Sequence, residues 1–402
     1  MPKIMLNTFA PAPFADAALA RYAPRLEKGS HLVVIGAGAF GGWTALYLLR
    51  SGFRVTLIDA WGAGNSRSGS GDETRVIRST YGANGLYFDL NVRALELWKA
   101  HQKKWDKPLF HPSGVLWFCY EEKVNLIDAS LPFMEKHGLA YQYFSRKEAQ
   151  VRFPQVFVED LDHLVFDPNG GYLRAREGAM AVKEAVVREG GGYHQAMAMP
   201  GPVRSGRMEY IELNGGTTLA ADAYVFASGS WLSRLFPETL GAFISCTRQE
   251  AYYLGVPHRY AAVFDTMPVW MDADGRDFYY GIPGNAGRGF KIGVDLRGPA
   301  FDPTDGDRIL DLDVLAKARQ FLGHRFPWLK GAPLAENRVC HYGNSPDGNF
   351  LLDMHPEAPN CWFLGGGSGH GYKHGPALGE KAAAIIAGEQ PLEPAFLLSR
   401  AG

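Results

Sequence analysis

The sequence predicts an α/β fold in which one sheet is assembled from segments far apart in the chain. A β-branched apolar run at His31–Ile35 leads through a glycine-rich turn into an apolar helix, and a second strand follows at Arg54–Ile58. Two later apolar runs, Ala223–Ala227 and Cys361–Leu364, also end in glycine-containing turns. Three strands that end in this way predict a discontinuous sheet whose carboxyl ends line one edge.

The first turn reads Gly36-Ala37-Gly38-Ala39-Phe40-Gly41. Gly36 allows the tight turn, Gly38 lets the backbone approach a pyrophosphate, and Gly41 permits close packing of the helix on the strand. The following helix N-terminus attracts phosphate groups. Asp59 ends the second strand, where its carboxylate can hold the adenosine ribose hydroxyls. Together these features predict a Rossmann-like dinucleotide site.

The segments beyond this unit favour FAD over NAD. A nicotinamide-binding domain normally proceeds quickly to a third strand, but here the polar loop Gly62–Gly71 follows, which suits the wrapping of a long buried cofactor. Near the end of the chain, the glycine-rich run Gly365–Gly371 precedes a helix expected at Pro376–Ile386. The positive end of that helix dipole favours the negative charge that appears on a reduced flavin.

Composition and charge exclude several classes of function. Lys and Arg total 41 against 42 for Asp and Glu, so no basic field favours nucleic acid or an anionic membrane. No apolar run reaches the length of about 18 residues that a spanning helix needs. The four cysteines form no CxxC pair, which argues against a disulfide framework or a metal site. We expect a cytoplasmic monomer or small homo-oligomer.

Four blocks in order along the chain carry a family resemblance. Glycine-rich Val33–Asp59 comes first, then Glu73–Gly82 with Thr-Arg-x-x-Arg, Gly289–Gly293 with Lys291, and Cys340–Lys373, which runs from Cys-x-Tyr to Ser-Gly-His-Gly-Tyr-Lys. In this combination they resemble the monomeric sarcosine oxidase and N-methyltryptophan oxidase group of the D-amino-acid-oxidase-like FAD enzymes. The likeness extends over nearly the whole chain from His31 onward.

The resemblance implies two domains. We expect a discontinuous, Rossmann-like FAD-binding domain from residues 1–109, 171–242 and 348–402. A substrate domain with a mixed or antiparallel sheet is expected from residues 110–170 and 243–347, covering the flavin. The active site is expected where the two domains meet, which is a usual place for a buried ligand.

The resemblance also implies the cofactor contacts. Cys340 matches the cysteine that forms a thioether with the flavin, and Arg75 matches an arginine beside the flavin ring. The full set of expected FAD contacts is Gly36, Gly38, Phe40, Gly41, Asp59, Ser70, Thr74, Arg75, Ser228, Gly229, Trp231, Cys340, Gly369, His370, Gly371 and Lys373.

Lys291 is the expected oxygen-activating residue. Strand alternation places Phe290, Ile292 and Val294 on one face and Lys291 on the other, so the lysine points toward the site. By resemblance it promotes the reaction with dioxygen, because a fixed cation stabilises developing superoxide charge. The alternative is an ordinary strand lysine that reaches solvent.

Several further residues are expected to bind the substrate. By resemblance, Arg78 and Lys373 hold its carboxylate, while Tyr280 and Tyr342 line its cavity. Asp295 departs from the family pattern, which has a histidine at that position. The carboxylate either pairs with Lys291 or attracts a second positive group on the substrate, so sarcosine is not the expected preferred substrate.

The resemblance implies an FAD-dependent oxidase that converts the carbon–nitrogen bond of a primary or N-alkyl amino acid to an imine and reduces dioxygen to hydrogen peroxide. Two alternatives stay open. One is a dehydrogenase of the same fold that passes electrons to another acceptor. The other is a non-catalytic flavin-binding sensor.

Overall fold

The computed structural model describes residues 22–121, 126–273, 278–284, 287–295 and 297–401. The first 21 residues of the expected FAD-binding domain lie outside this part of the chain. Within the described ranges, no helix combines the length and the apolar character that crossing a membrane requires.

The strands that the structure describes are, in chain order, β1 (His31–Ile35), β2 (Arg54–Asp59), β3 (Thr74–Ile77), β4 (Phe110–His111), β5 (Val115–Cys119), β6 (Gln142–Ser145), β7 (His163–Asp167), β8 (Gly171–Arg174), β9 (Gly192–Gln195), β10 (Ala198–Pro200), β11 (Val203–Arg204), β12 (Arg207–Met208), β13 (Ile211–Leu213), β14 (Thr218–Leu219), β15 (Ala223–Phe226), β16 (Ser245–Leu254), β17 (Val269–Ala273), β18 (Phe278–Ile282), β19 (Phe290–Val294), β20 (Leu334–Asn344), β21 (Leu351–His355) and β22 (Ala358–Gly365). The helices are α1 (Ala39–Arg50), α2 (Gly85–Trp105), α3 (Leu131–Lys136), α4 (Arg146–Arg152), α5 (Ala175–Arg188), α6 (Leu232–Leu235), α7 (Pro237–Leu240), α8 (Ala261–Asp265), α9 (Leu312–Arg325) and α10 (Gly375–Ile386).

One sheet has the strand order β21-β22-β15-β1-β2-β9. Strand β1 lies in its middle, parallel to β15 on one side and to β2 on the other. Strand β22 pairs in parallel with β15, and β21 adds to it in the antiparallel direction. The three strands that the sequence predicts to end in glycine turns therefore stand side by side, which confirms the discontinuous sheet. Helices α1, α5 and α10 contribute buried apolar residues to the core beside it.

A second sheet has the strand order β20-β16-β19-β18-β17-β5-β7-β6. Its neighbours pair antiparallel except β17 and β5, which are parallel, so the sheet is mixed as predicted. Phe290 and Ile292 of β19 are fully buried in an apolar core with Trp270 and Phe326. Because side chains alternate along a strand, Lys291 lies on the opposite face.

A small three-stranded sheet has the strand order β3-β8-β4, and its strand β3 follows the loop 62–71. Its β3 strand pairs antiparallel with β8, and Ile77 is fully buried. Strand β3 carries Arg75 and leads directly to Arg78, so this sheet fixes the backbone of two expected site residues.

Candidate active site

A cavity of about 420 Å³ runs along the carboxyl ends of β1, β2, β15 and β22. Gly36 and Asp59 line it from the first two strands, and residues 227–231 line it after β15. Tyr342 and Gly343 reach it from β20 of the second sheet. In open α/β sheets, ligands bind at this edge, so the cavity has the position expected of a nucleotide site.

The glycines of the first turn are required sterically. A Cβ atom at Gly36 would lie 2.4 Å from the carbonyl oxygen of Ala227, and the φ angle of Gly36 is 111°. A Cβ atom at Gly41 would lie 1.9 Å from the carbonyl oxygen of Gly36. Only glycine allows this approach of β1, β15 and α1.

Two side chains organise the start of α1. The carboxylate of Asp59 accepts hydrogen bonds from the backbone N–H groups of Ala37 (2.8 Å) and Trp61 (3.0 Å). The hydroxyl of Ser70 accepts a hydrogen bond from the N–H of Ala39 at 3.1 Å, and so caps a helix whose N-cap is Gly38. Both residues line the cavity beside the helix N-terminus. The glycine cradle, this N-terminus and the terminal carboxylate of β2 fit the ADP part of FAD.

A second cavity of about 70 Å³ adjoins the first. The two cavities share Arg75, Tyr342, Gly369 and Tyr372 as walls. The ring of Tyr342 packs so closely on Gly369 that a Cβ atom there would lie 2.6 Å from it. A long ligand in the larger cavity and a small one in the smaller cavity therefore meet across the same side chains.

The smaller cavity contains the three charged residues expected to bind substrate, Arg78, Lys373 and Asp295. Arg78 and Lys373 are 7% and 5% exposed, and the Lys373 ammonium donates to the carbonyl oxygen of His370 at 2.9 Å. Burial, reinforced by the Arg78 charge, holds the pKa of Lys373 well below its ordinary value. Burial raises the pKa of Asp295 against the opposing effect of Arg78 and Lys373. Arg75, Asp72 and Glu250 also line this cavity, so three basic and three acidic side chains surround it.

Asp72 is the residue that organises the wall of this cavity. Its carboxylate forms an ion pair with Lys291, accepts from the Arg75 guanidinium at 2.6 Å, and accepts from the Tyr253 hydroxyl at 2.8 Å. Burial alone would raise the pKa of Asp72, but the Lys291 and Arg75 charges outweigh it and hold that pKa well below its usual range. Asp72, Arg75 and Lys291 together carry one net positive charge.

Lys291 is only 1% exposed, so it is not a strand lysine that reaches solvent, and it is not among the described lining residues of either cavity. Its ammonium also donates to the carbonyl oxygen of Thr74 at 2.9 Å. The expected alternative of a pair with Asp295 is wrong, because the ion-pair partner is Asp72. Asp295 instead lines the smaller cavity together with Arg78 and Lys373. Burial lowers the pKa of Lys291, and Asp72 opposes that effect.

Most of the other expected cofactor residues line one or both of the two cavities. Cys340 lines the smaller cavity, 3.7 Å from the Arg75 guanidinium. The ring of His370 stacks on Phe350 with centroids 4.9 Å apart, and burial lowers its pKa to about 3. The larger cavity is lined by Gly36, Gly38, Phe40, Asp59, Ser70, Arg75, Ser228, Gly229, Trp231, Gly369 and Gly371; the smaller also by His370, Lys373, Tyr280 and Tyr342. Gly41 and Thr74 are not among the described lining residues of either cavity.

A known protein family matches most of this chain. Residues 31–385 match the model of the DAO family, described as FAD dependent oxidoreductase. The chain belongs to the DAO family of FAD-dependent oxidoreductases. The glycine cradle at Gly36 and the shared wall at Tyr342 both lie within the matched region.

Individual relatives of this DAO-family chain cover most of its length. Monomeric sarcosine oxidase of Bacillus sp. (strain NS-129) is 27% identical over 368 residues, which cover 88% of this chain and 92% of that protein. N-methyl-L-tryptophan oxidase of Salmonella heidelberg (strain SL476) is 29% identical over 393 residues, covering 92% and 98%. These matches confirm the resemblance that the four sequence blocks predict.

Solved structures confirm the fold class of the DAO-family chain. A thermally stable mutant of fructosyl peptide oxidase superposes with a TM-score of 0.80 at 20% identity, covering 92% of this chain and 93% of the other. L-proline dehydrogenase from P. horikoshii superposes with a TM-score of 0.79 at 21% identity, covering 93% and 98%. At these identities the likeness extends to the fold alone.

Sequence reasoning missed Asp72 and Tyr253 as site residues of this DAO-family chain. Asp72 stands just after the loop 62–71 and two residues before β3, and Tyr253 lies opposite Lys291 in the register of β16 and β19. A buried lysine requires a counter-charge, so the inward direction of Lys291 is the signal that could have prompted a search for a carboxylate.

Proposed function

We propose that this chain is an FAD-dependent oxidase of a primary or N-alkyl amino acid, which converts the carbon–nitrogen bond to an imine and reduces dioxygen to hydrogen peroxide. The supporting observation is the adjacency of the two cavities, since Arg75 and Tyr342 form walls of both. The names of the relatives, which are oxidases of sarcosine and N-methyl-L-tryptophan, agree with this substrate class.

The residues that line the larger cavity would hold the cofactor, with Asp59 on the ribose and the N-terminus of α1 on the pyrophosphate. FAD, when bound, supplies the chemistry by accepting a hydride equivalent from the carbon beside the amine nitrogen and passing the electrons to dioxygen. We further propose that Cys340 holds it through a thioether. The position of Cys340 supports this role, because its sulfur lies 3.7 Å from the guanidinium of Arg75, which is a wall of both cavities.

The smaller cavity would orient the substrate. Arg78 and Lys373 bind its carboxylate, the arginine through a planar fork and the lysine as a point charge. Asp295 accepts from a positive group of the substrate, and Tyr280 and Tyr342 pack against its apolar part. The charges of Arg78 and Lys373 lower the pKa of an amine bound beside them, so the reactive neutral form is reached without a protein base.

The oxidase half of the proposal depends on the cluster of Asp72, Arg75 and Lys291. Its one net positive charge is fixed in the interior by hydrogen bonds, so it can stabilise negative charge that develops on dioxygen without reorganisation. A dehydrogenase is the second candidate, and one observation favours it. The charge of Lys291 is matched by Asp72, which weakens the field that the lysine alone would exert.

A peroxide-coupled screen of amino acids and their N-methyl derivatives tests the proposal. We expect at least one compound to bleach the bound flavin anaerobically and to yield one hydrogen peroxide per substrate in air. Bleaching without peroxide, with turnover restored by a quinone, would establish the dehydrogenase. No bleaching by any of these compounds would remove the amino-acid oxidase proposal.

A further inference from the structure

Cys119, Asp128 and His163 form a cluster beside strands β5 and β7 of the second sheet, and none of the three lines either cavity. One potential ligand atom from each side chain lies within 4.8 Å of the others. Cys119 at the end of β5 stands directly opposite His163 at the start of β7 in the antiparallel register, so the two side chains lie on the same face. Nothing in the cysteine spacing predicts this cluster.

The histidine is oriented as a metal-binding histidine is. Its Nδ1 lies 2.8 Å from a carboxylate oxygen of Asp162. Because an ionised carboxylate only accepts hydrogen bonds, Nδ1 carries the proton and a neutral ring has its lone pair on Nε2. A carboxylate that fixes the far nitrogen is a regular companion of histidine ligands.

The near nitrogen points into the cluster and lacks a hydrogen bond. The side chain of His163 is 8% exposed, and its buried Nε2 has no hydrogen-bond partner among the described residues. The nearest carboxylate oxygen, on Asp128, is 3.4 Å away. A lone pair on Nε2 and a carboxylate oxygen repel each other at this distance, so the contact requires either a proton on Nε2 or a metal cation between the two atoms.

We propose that Cys119, Asp128 and His163 bind a zinc ion, with water as the fourth ligand. A thiolate and an imidazole select zinc over magnesium or calcium, and thiolate, carboxylate and neutral imidazole balance its two charges. Tetrahedral zinc places its ligand atoms about 3.3–3.8 Å apart, so the cluster closes by side-chain movement of about 1 Å. Asp128, at 40% side-chain exposure, gives the ion its route of entry.

The ion would stiffen a segment that supports the substrate cavity. Asp128 begins the short turn 128–130, in which the Ser130 hydroxyl accepts hydrogen bonds from the N–H groups of Tyr81 (3.1 Å) and Gly82 (2.7 Å). The Tyr81 ring in turn packs against the guanidinium of Arg78, 4.8 Å from its centroid. The role of the zinc ion is therefore structural, because the ion holds the turn 128–130 against the strand pair β5–β7.

Cobalt is the probe for this site, because a thiolate ligand produces a charge-transfer band in the near ultraviolet. The untagged, flavin-loaded protein is treated with a chelator and titrated with Co²⁺, and difference spectra remove the flavin absorption. We expect one equivalent to bind with the thiolate band, and Cys119→Ser to abolish that band. Cys246→Ser, a partly buried cysteine elsewhere, retains it as the matched control.

Asp128→Asn keeps the proposal testable if the buried cysteine variant does not fold. This partly exposed substitution should weaken Co²⁺ affinity at least tenfold and should abolish the rise in melting temperature that Zn²⁺ produces in the parent protein. Absence of a thiolate band at one equivalent, or its survival in Cys119→Ser, overturns the proposal. The cluster would then be a chain of two carboxylates bridged by a protonated imidazole.

Discussion

The ammonium of Lys291 and the carboxylate of Asp72 form an ion pair in the interior, although 219 positions separate them in the chain. Their side chains are 1% and 5% exposed. Arg75, Tyr253 and the backbone N–H of Glu73 also donate hydrogen bonds to this carboxylate. A buried pair of this kind is costly to break, because the partner that remains keeps an uncompensated charge.

Asp72→Asn should therefore destabilise the protein by about 3–5 kcal/mol. In the parent protein, folding lowers the pKa of the Asp72 carboxyl group. The contribution of Asp72 to the free energy of unfolding is therefore fully present above the ordinary carboxyl pKa and is lost as the pH falls through the much lower folded value. Urea unfolding of parent and variant should differ by a constant amount from about pH 5 to 7. Asp305→Asn, at an exposed aspartate, is the control and should leave the midpoint unchanged. Equal midpoints for Asp72→Asn and the parent would contradict the assignment.

Lys291→Met should separate the two halves of the reaction. Reduction of the flavin by substrate should proceed at nearly the parent rate, whereas reoxidation by dioxygen should slow by about 10²-fold or more, because the fixed cation is lost. Stopped-flow absorbance measures both steps. Lys291→Met also removes one of the two cations that pair with Asp72, and only Arg75 remains. Lys291→Arg is the matched control, because it changes the side chain but keeps a cation beside Asp72. Oxygen reactivity that is unchanged in Lys291→Met would refute the role.

Lys373 should give substrate binding an alkaline limit. Burial and Arg78 hold its pKa well below the ordinary 10.5, and a lysine is charged only below its own pKa. Affinity for the substrate carboxylate should therefore fall as pH rises through that lowered value. The pH profile of kcat/KM measures this, and Lys373→Arg should shift the alkaline limb upward. An amine substrate without a carboxylate serves as the control, and the same limb in its profile would argue against carboxylate binding by Lys373.

Gly36→Ala should abolish cofactor retention. Its Cβ atom would lie 2.4 Å from the carbonyl oxygen of Ala227, which forms part of the cavity wall. Gly190 has a similar positive φ of 98° but no atom within 4 Å of its Cβ position. Both alanine variants carry backbone strain of about 1–3 kcal/mol, so the difference between them isolates the clash. The ratio of flavin to protein absorbance should fall sharply only in Gly36→Ala.

Cys340→Ser tests the proposed thioether. Flavin should stay with the acid-denatured parent protein and should be released from the variant, with a corresponding difference in the mass of the intact chain. Cys246→Ser should behave as the parent does. Flavin that acid releases freely from the parent protein would rule out the covalent link.

The sequence predicts the nucleotide half of the site well, because its determinants are local. Residues 31–59 form a strand, a turn, a helix and a second strand that ends in an acid, and backbone sterics within this short segment determine their arrangement. Alternation of side chains along β19 is likewise local, and it places Lys291 on the face opposite Phe290 and Ile292. The partner of Lys291 is not local. Asp72 lies in a connection whose path depends on how β3 pairs with β8, and no periodicity encodes that distance. Asp295, four residues from Lys291, is nearer in the sequence but is not its ion-pair partner.

The sheet order has a consequence for the synthesis of this protein. Strand β15 receives its second neighbour only when β22, at residues 358–365, has left the ribosome, and α10 must then pack beside α1. The glycine turn at residues 36–41 is synthesised early, but the cavity lining from residues 365–371 is missing during most of translation. We therefore expect the coenzyme to bind late in synthesis, and a nascent chain stalled before residue 358 to carry no flavin.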